Sequence, residues 1–188
     1  MRRIVVSEFV SLDGVMEDPG GAEGFRHGGW TFQFNDPEGM KYKLDEVLDH
    51  EALLLGRRTY EGFAKAWPQM TDDVGFADKM NAMPKYVVSR TLQSADWNNS
   101  TLLSGEITEQ VAALREQDGR DILVAGSATL VRELLVSDLV DEYRLMMFPI
   151  VLGSGRRLFM GEGEPAVLRL VDVKPLGTGT LILTYQRP

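Results

Sequence analysis

Three short apolar runs in this chain each stop at a small residue and turn toward a helical pattern. They are LLLGRRTYEGF around Gly56, YVVSRTL around Ser89 and ILVAGSATLVREL around Gly126. Strands this short and this apolar are the kind buried on both faces, which requires helices above and below a parallel sheet. Parallel strands would also carry all three turns to one edge of that sheet, beyond the strand ends where open α/β sheets bind ligands.

The rest of the chain fits that frame. Arg3 to Val10 reads as a first strand, rich in β-branched residues. Ser11 to Asn35 reads as a long glycine-dense loop that also carries Phe25, Trp30, Phe32 and Phe34. Loops of this length in a compact domain are unusual and often functional. Asp36-Pro37-Glu38 has the form of a helix start, with a capping Asp and Pro at the first position. That helix is expected to run to Asp49 with Met40, Leu44, Val47 and Leu48 inward. Ala52–Leu55, Lys85–Ser89, Ser100–Leu103 and Asp121–Ala125 read as strands. Arg58–Lys65, Phe76–Asn81, Ile107–Gln117 and Thr129–Val136 read as helices. Glu142–Pro149, Ala166–Lys174 and Thr180–Gln186 then form a β-rich end, with Gly177-Thr178-Gly179 as a turn. One domain over residues 1–188 is expected, with a mostly parallel sheet and antiparallel strands at one edge.

Composition removes several functions. No cysteine is present, so disulfides, thiolate nucleophiles and Cys-type zinc sites are out, and the two histidines have no metal-binding spacing. A net charge of −8 argues against nucleic acid, whose phosphates need a basic footprint. No apolar run is long enough to span a bilayer, and the N-terminus reads as a strand rather than a secretory signal. A cytoplasmic protein is expected.

An anionic small molecule is still compatible with this charge if local cations and helix N-termini meet it. Arg57 and Arg58 open one helix, Arg90 follows the Ser89 strand end, and Thr59 and Thr91 add hydroxyls. Gly126 and Ser127 would let backbone approach a pyrophosphate, and an arginine fork suits a 2′-phosphate, which favours NADPH over NADH. Taken singly, Gly56 and Gly126 read as well as structural turns, and no GxGxxG fingerprint is present.

The ordered set GRRTYEGF, VVSRTL, AGSATLVRELL and YRLMMFPIVLGSGRRLF, with SLDGVM after the first strand, resembles the dihydrofolate reductase superfamily. It is most similar to the branch that includes the C-terminal reductase domain of bifunctional riboflavin-biosynthesis enzymes and stand-alone bacterial relatives. The resemblance implies a three-layer α/β fold, a homodimer and an NADPH site. Gly56, Arg57 and Thr59 would meet the pyrophosphate region, and Ser89 and Arg90 the adenosine end with its 2′-phosphate. Gly126, Ser127, Ala128 and Thr129 would line the pyrophosphate and nicotinamide side. Pro149, Gly153, Ser154 and Gly155 would frame a substrate pocket with Asp13 and Gly14.

Two positions depart from the family pattern. Met40 stands, counting back from GRRT, where folate-reducing members carry an acid. Ser7 stands where riboflavin-type members commonly carry a lysine. Both departures argue against those two substrates. The implied chemistry is hydride transfer to a C=N or C=O bond of a small substrate such as a pterin- or pyrimidine-like ring. Trp30, with Phe9 and Phe34, reads either as a dry cover for that step or as core packing. Asp13 is the first candidate proton donor, although the Asp-Gly pair reads first as a turn former; Asp36 is the second candidate, and a bound water is a third source. A non-catalytic nucleotide- or ligand-binding module on the same scaffold is the competing reading.

Overall fold

The computed structural model describes residues 1–160 and 164–188. Among these residues, eight strands form one sheet: β1 (Ile4–Ser11), β2 (Ala52–Gly56), β3 (Lys85–Val88), β4 (Ser100–Leu103), β5 (Ile122–Ala125), β6 (Glu142–Phe148), β7 (Arg169–Pro175) and β8 (Leu181–Gln186). Their spatial order is β4-β3-β2-β5-β1-β6-β8-β7. Pairing is parallel from β4 across to β6, and β8 and β7 add antiparallel to β6. This is the architecture the strand–helix alternation implies.

Helices cover both faces. On one side α1 (Pro37–Asp49), α2 (Arg57–Ala66) and α3 (Phe76–Ala82) pack over Val5, Leu53, Leu55, Val87 and Leu123. On the other, α4 (Ile107–Glu116) and α5 (Ala128–Val136) pack over Ile4, Val6, Leu54, Ile122 and Val124. The central strands therefore bury alternate residues in two separate cores, which is why ALLL and ILV show no polar alternation.

α1 begins as its sequence implies: the Asp36 carboxylate accepts from the backbone N–H groups of Glu38 and Gly39, and Pro37 occupies the first position. Its inner face differs from the expected one. Met40 is 63% exposed and Leu48 40%, whereas Gly39, Glu46 and Val47 are buried. The face is set by Gly39, Lys43, Glu46, Val47 and His50, a helical i, i+4, i+7 series that happens to carry polar groups. Val47 is buried as expected and Leu44 half-buried, but hydrophobicity misplaced Met40 and Leu48, because the sheet beneath α1 presents Ser7 and Arg144, which pair with that polar series.

The long loop after β1 is built rather than loose. Asp18 is buried and accepts from the N–H groups of Glu23 and Phe25. Trp30 is 3% exposed, donates its indole N–H to the Glu17 carbonyl and meets the Phe148 ring edge-on. Phe9 and Phe34 contact the same ring. The strand expected from Ala166 begins instead at Arg169.

Candidate functional site

β1 and β5 pair only as far as Ser7 and Ala125, but β1 continues along β6 to Ser11. Where β5 and β2 stop, a cleft of about 700 Å³ opens, within the roughly 300–1,000 Å³ range of small-molecule sites. All three small-residue turns reach it: Gly56, Arg57 and Thr59 after β2, Ser89 and Arg90 after β3, and Gly126, Ser127, Ala128 and Thr129 after β5. The sequence spread these nine residues over more than seventy positions; the parallel register brings them to one edge.

Two of the turns are tied together. The Gly56 N–H donates to the Ser127 hydroxyl at 2.9 Å, and the Ser127 N–H donates to the Thr59 hydroxyl at 2.9 Å. Gly126 has φ +58°, and a Cβ there would lie 2.8 Å from the Thr59 Oγ1. Glycine is thus required at Gly126 both by backbone conformation and by the closeness of α2. Neither α2 nor α5 has a side chain capping its first N–H groups. The two helix starts lie side by side at the cleft, joined through Gly56, Ser127 and Thr59.

The cations sit at its mouth. Arg57 donates to the Thr91 hydroxyl, Arg58 lies 3.9 Å from Glu23, and Arg90 is exposed with no ion pair among the described residues. The Ser89 hydroxyl accepts from the N–H groups of Thr91 and Leu92, fixing the turn that presents Arg90.

The other expected site residues lie elsewhere. Asp13 is outside the cleft. Its carboxylate accepts from the Ser11 hydroxyl and from the N–H groups of Leu152 and Gly153, with Arg157 3.6 Å away. Desolvation opposes ionisation there, but the hydrogen bonds from Ser11, Leu152 and Gly153 outweigh it and hold the carboxyl down at about 2. A carboxylate so held is a poor proton donor, and the turn-forming reading describes its place. A depressed acid stabilises the fold above its ordinary pKa, and that contribution is lost as pH falls from 3.8 through about 2. Asp13→Asn is expected to flatten that part of the acid-unfolding curve and to cost on the order of 1–3 kcal/mol at neutral pH. Unchanged urea midpoints at both pH values would refute the brace.

Asp36 is spent on capping α1. Gly14, Pro149, Gly153 and Gly155 do not line the cleft; they belong to the junction between the β1 loop and the segment after β6. Gly155, at φ +112°, is needed there because a Cβ would come 2.7 Å from Val15. Trp30 packs on Phe148 rather than in the cleft wall. Met40 points to solvent, so the α1 residues that do reach the cleft are Lys43 and Val47.

The cleft floor joins Ser7 and Phe9, both named from the sequence, to Glu8 and Lys43, which sequence reasoning passed over. Lys43 Nζ donates to the Ser7 hydroxyl at 2.6 Å and to Glu46, and lies 5.3 Å from the Phe9 ring centre. Glu46 also accepts from the Ser7 hydroxyl at 2.8 Å and faces Arg144 at 3.6 Å. Burial drives the Glu8 carboxyl well above the ordinary carboxylate range, only partly offset by the Lys43 charge and the Gly126 N–H. One signal could have found it: a lone acid within IVVSEFVS, a strand otherwise buried along its length. The described residues contain no cluster of acids and histidines able to hold a metal ion, and no helix long and apolar enough to cross a membrane.

A doubly covered, mostly parallel sheet with an antiparallel edge and a cleft at its strand ends is a dihydrofolate-reductase-like fold. The chain belongs to the RibD C-terminal domain family, which it matches over residues 2–182. It is 29% identical to the uncharacterized protein YyaP of Bacillus subtilis over 98% of this chain and 94% of that one. It is also 29% identical to the uncharacterized protein YwjB of the same organism, over 94% and 93%. Among solved structures, a Shewanella sp. PV-4 protein provisionally named for riboflavin biosynthesis superposes with TM-score 0.79 at 20% identity, covering 99% of both chains. A dihydrofolate reductase from Enterococcus faecalis, complexed with NADP(H) and RAB-propyl, gives 0.65 at 17% identity, covering 98% and 96%. A pyrimidine reductase-like protein from Corynebacterium diphtheriae gives 0.65 at 13%, covering 98% and 91%.

Proposed function

We propose that this protein is an NADPH-dependent reductase that transfers hydride to a C=N or C=O bond of a small heterocyclic or carbonyl substrate. The observation that carries the reading is the convergence of three sequence-distant turns on one cleft, with two helix starts that lack a side-chain cap and the arginines Arg57, Arg58, Arg90 and Arg156. The cofactor-bound reductase among the structural relatives supports the choice of a nicotinamide dinucleotide. Gly126 gives the backbone the close approach that a pyrophosphate needs, and the joined starts of α2 and α5 would hold its charge. Arg90, with Ser89 beneath it, would take the 2′-phosphate. When bound, the cofactor supplies the hydride. The chain's own part is to orient the two reactants and keep water out, for which Phe9, Phe63 and Met80 provide apolar wall.

Parallel calorimetric titrations with NADPH and NADH test this. Micromolar binding with preference for NADPH is expected, and binding of neither would withdraw the reading. Arg90→Ala is expected to weaken NADPH by roughly ten- to a hundredfold, the worth of one charge-assisted contact, and NADH far less. Equal losses for both would displace Arg90 from the 2′-phosphate. NADPH binding with no oxidation by any imine or ketone would favour a ligand-binding module instead. The homodimer that the resemblance implies stays part of this proposal.

A further inference from the structure

The Glu8 carboxyl is 5% exposed, lines the cleft and is only half used by the protein. Its Oε2 accepts the Gly126 N–H at 3.0 Å, while Oε1 is buried without any partner. An ionised carboxylate would leave that oxygen charged and unsatisfied, at high cost in a dry wall. A carboxylic acid resolves half of the difficulty. With Oε2 accepting from Gly126, the proton resides on Oε1, and the acid becomes a donor that lacks an acceptor. The acceptor has to come from the cleft. The terminal carboxyl torsion is soft, so the acid can turn toward a ligand without moving β1.

The surroundings fit a group that gives up a proton and regains it. The charged groups bearing on Glu8 are Lys43 and Glu46, both from α1; β6 sets Leu145 beside it, and the turn after β5 offers only the Gly126 N–H. Lys43 has three N–H donors; Ser7 and Glu46 take two of them. Burial favours the neutral Glu8 acid, and the Lys43 charge favours its carboxylate once formed.

We infer that Glu8 is the proton donor of the cleft: Oε1–H hydrogen-bonds the heteroatom of the substrate's C=N or C=O bond and protonates it as the adjacent carbon is reduced. This rests on the reductase reading above. A bound NADPH would supply the hydride for the new C–H bond, and the π pair would move to nitrogen or oxygen. That atom takes the proton from Oε1, leaving Glu8 as carboxylate beside Lys43. One proton from solvent restores the acid. The net reaction consumes one NADPH and one proton. The substrate class follows: an uncharged ring or carbonyl compound offering an acceptor at the reacting bond, with a second acceptor placed for the spare Lys43 N–H.

Infrared difference spectra of the apoprotein across pH test the first half without any ligand. A protonated-carboxyl band is expected to persist at neutral pH, to be missing from Glu8→Gln, and to titrate at higher pH in Lys43→Met. No such band in the parent, or a band unchanged in Glu8→Gln, overturns the inference. Thermal melts of both variants show that they fold. For the second half, NADPH oxidation is followed with a panel of cyclic imines and ketones that includes 7,8-dihydropterin. Glu8→Gln is expected to slow any reaction the parent performs by about a hundredfold or more. The parent's own rate is expected to fall as pH rises through the band's midpoint. Retention of the parent rate in Glu8→Gln, or no oxidation by any member, removes the proton role. Titration of NADPH alone into the parent keeps the two readings apart: a missing band with NADPH bound fails Glu8 only, whereas no NADPH binding fails the reductase reading itself.

Discussion

Glu46→Ala is expected to cost about 3–5 kcal/mol of stability, the penalty for breaking a buried ion pair from one side. At about 2–4 °C per kcal/mol for a chain of this size, the melting temperature would fall on the order of 10 °C. The Glu46 side chain is 1% exposed; its Oε2 bonds Lys43 and the Ser7 hydroxyl, and its Oε1 faces Arg144 at 3.6 Å. Desolvation works against its charge, but Lys43, Ser7 and Arg144 outweigh that and hold its pKa below the ordinary 4.5. The sign follows: Glu46 stabilises the fold above 4.5, and the contribution fades as pH falls below it. The variant should therefore lose most at neutral pH and least in acid. Arg144 keeps Glu142 at 2.6 Å, so the unpaired charge is chiefly Lys43. Adding Lys43→Met to Glu46→Ala is expected to recover part of the loss, since it removes the stranded ammonium. A loss below 1 kcal/mol at neutral pH, or a larger loss in acid, would show that the cluster does not hold α1 to the sheet.

Gly126→Ala is expected to damage the cofactor site and the fold together. The left-handed backbone alone costs roughly 1–2 kcal/mol for a residue with a Cβ. The new methyl would also meet Thr59 at 2.8 Å from Oγ1 and 3.0 Å from Cγ2. Thr59 cannot yield without releasing the Ser127 N–H that it accepts, and that bond joins the starts of α2 and α5. If those two helix starts form the pyrophosphate site, NADPH affinity falls about tenfold or more. Gly62→Ala is the matched control: it lies within α2, and nothing stands within 4 Å of its added methyl. That change is expected to be neutral or to stabilise by up to about 1 kcal/mol. Calorimetric titration and urea unfolding read both effects. Full NADPH affinity in a folded Gly126→Ala protein would move the pyrophosphate away from this turn.

Where the sequence could be read, local chemistry was decisive. Asp36-Pro37 announced α1, and the cap is present. The doubly buried strands at Leu53 and Leu123 announced themselves by lacking alternation, because both of their faces meet helices. The glycine and serine stops at Gly56, Ser89 and Gly126 marked the turns that now share a cleft. Asp13 and Asp36 were recognised as acids next to the right elements, yet Asp36 is consumed by the N–H groups of its own helix start and Asp13 by those of Leu152 and Gly153, far along the chain. Proximity in sequence gave no measure of that.

The sequence by itself determined the elements, the parallel class of the sheet, its antiparallel edge and the set of turns at its strand ends. These follow from φ/ψ preferences, capping and burial period, which act over a few residues. Only the tertiary structure decided the phase of α1, the burial of Glu46 and the isolation of Glu8. Each depends on what a distant strand or turn presents: Ser7 and Arg144 beneath α1, and one N–H of Gly126 facing a carboxyl with two oxygens. Desolvation and charge pairing belong to the assembled interior, where an acid's protonation is set by neighbours far away along the chain.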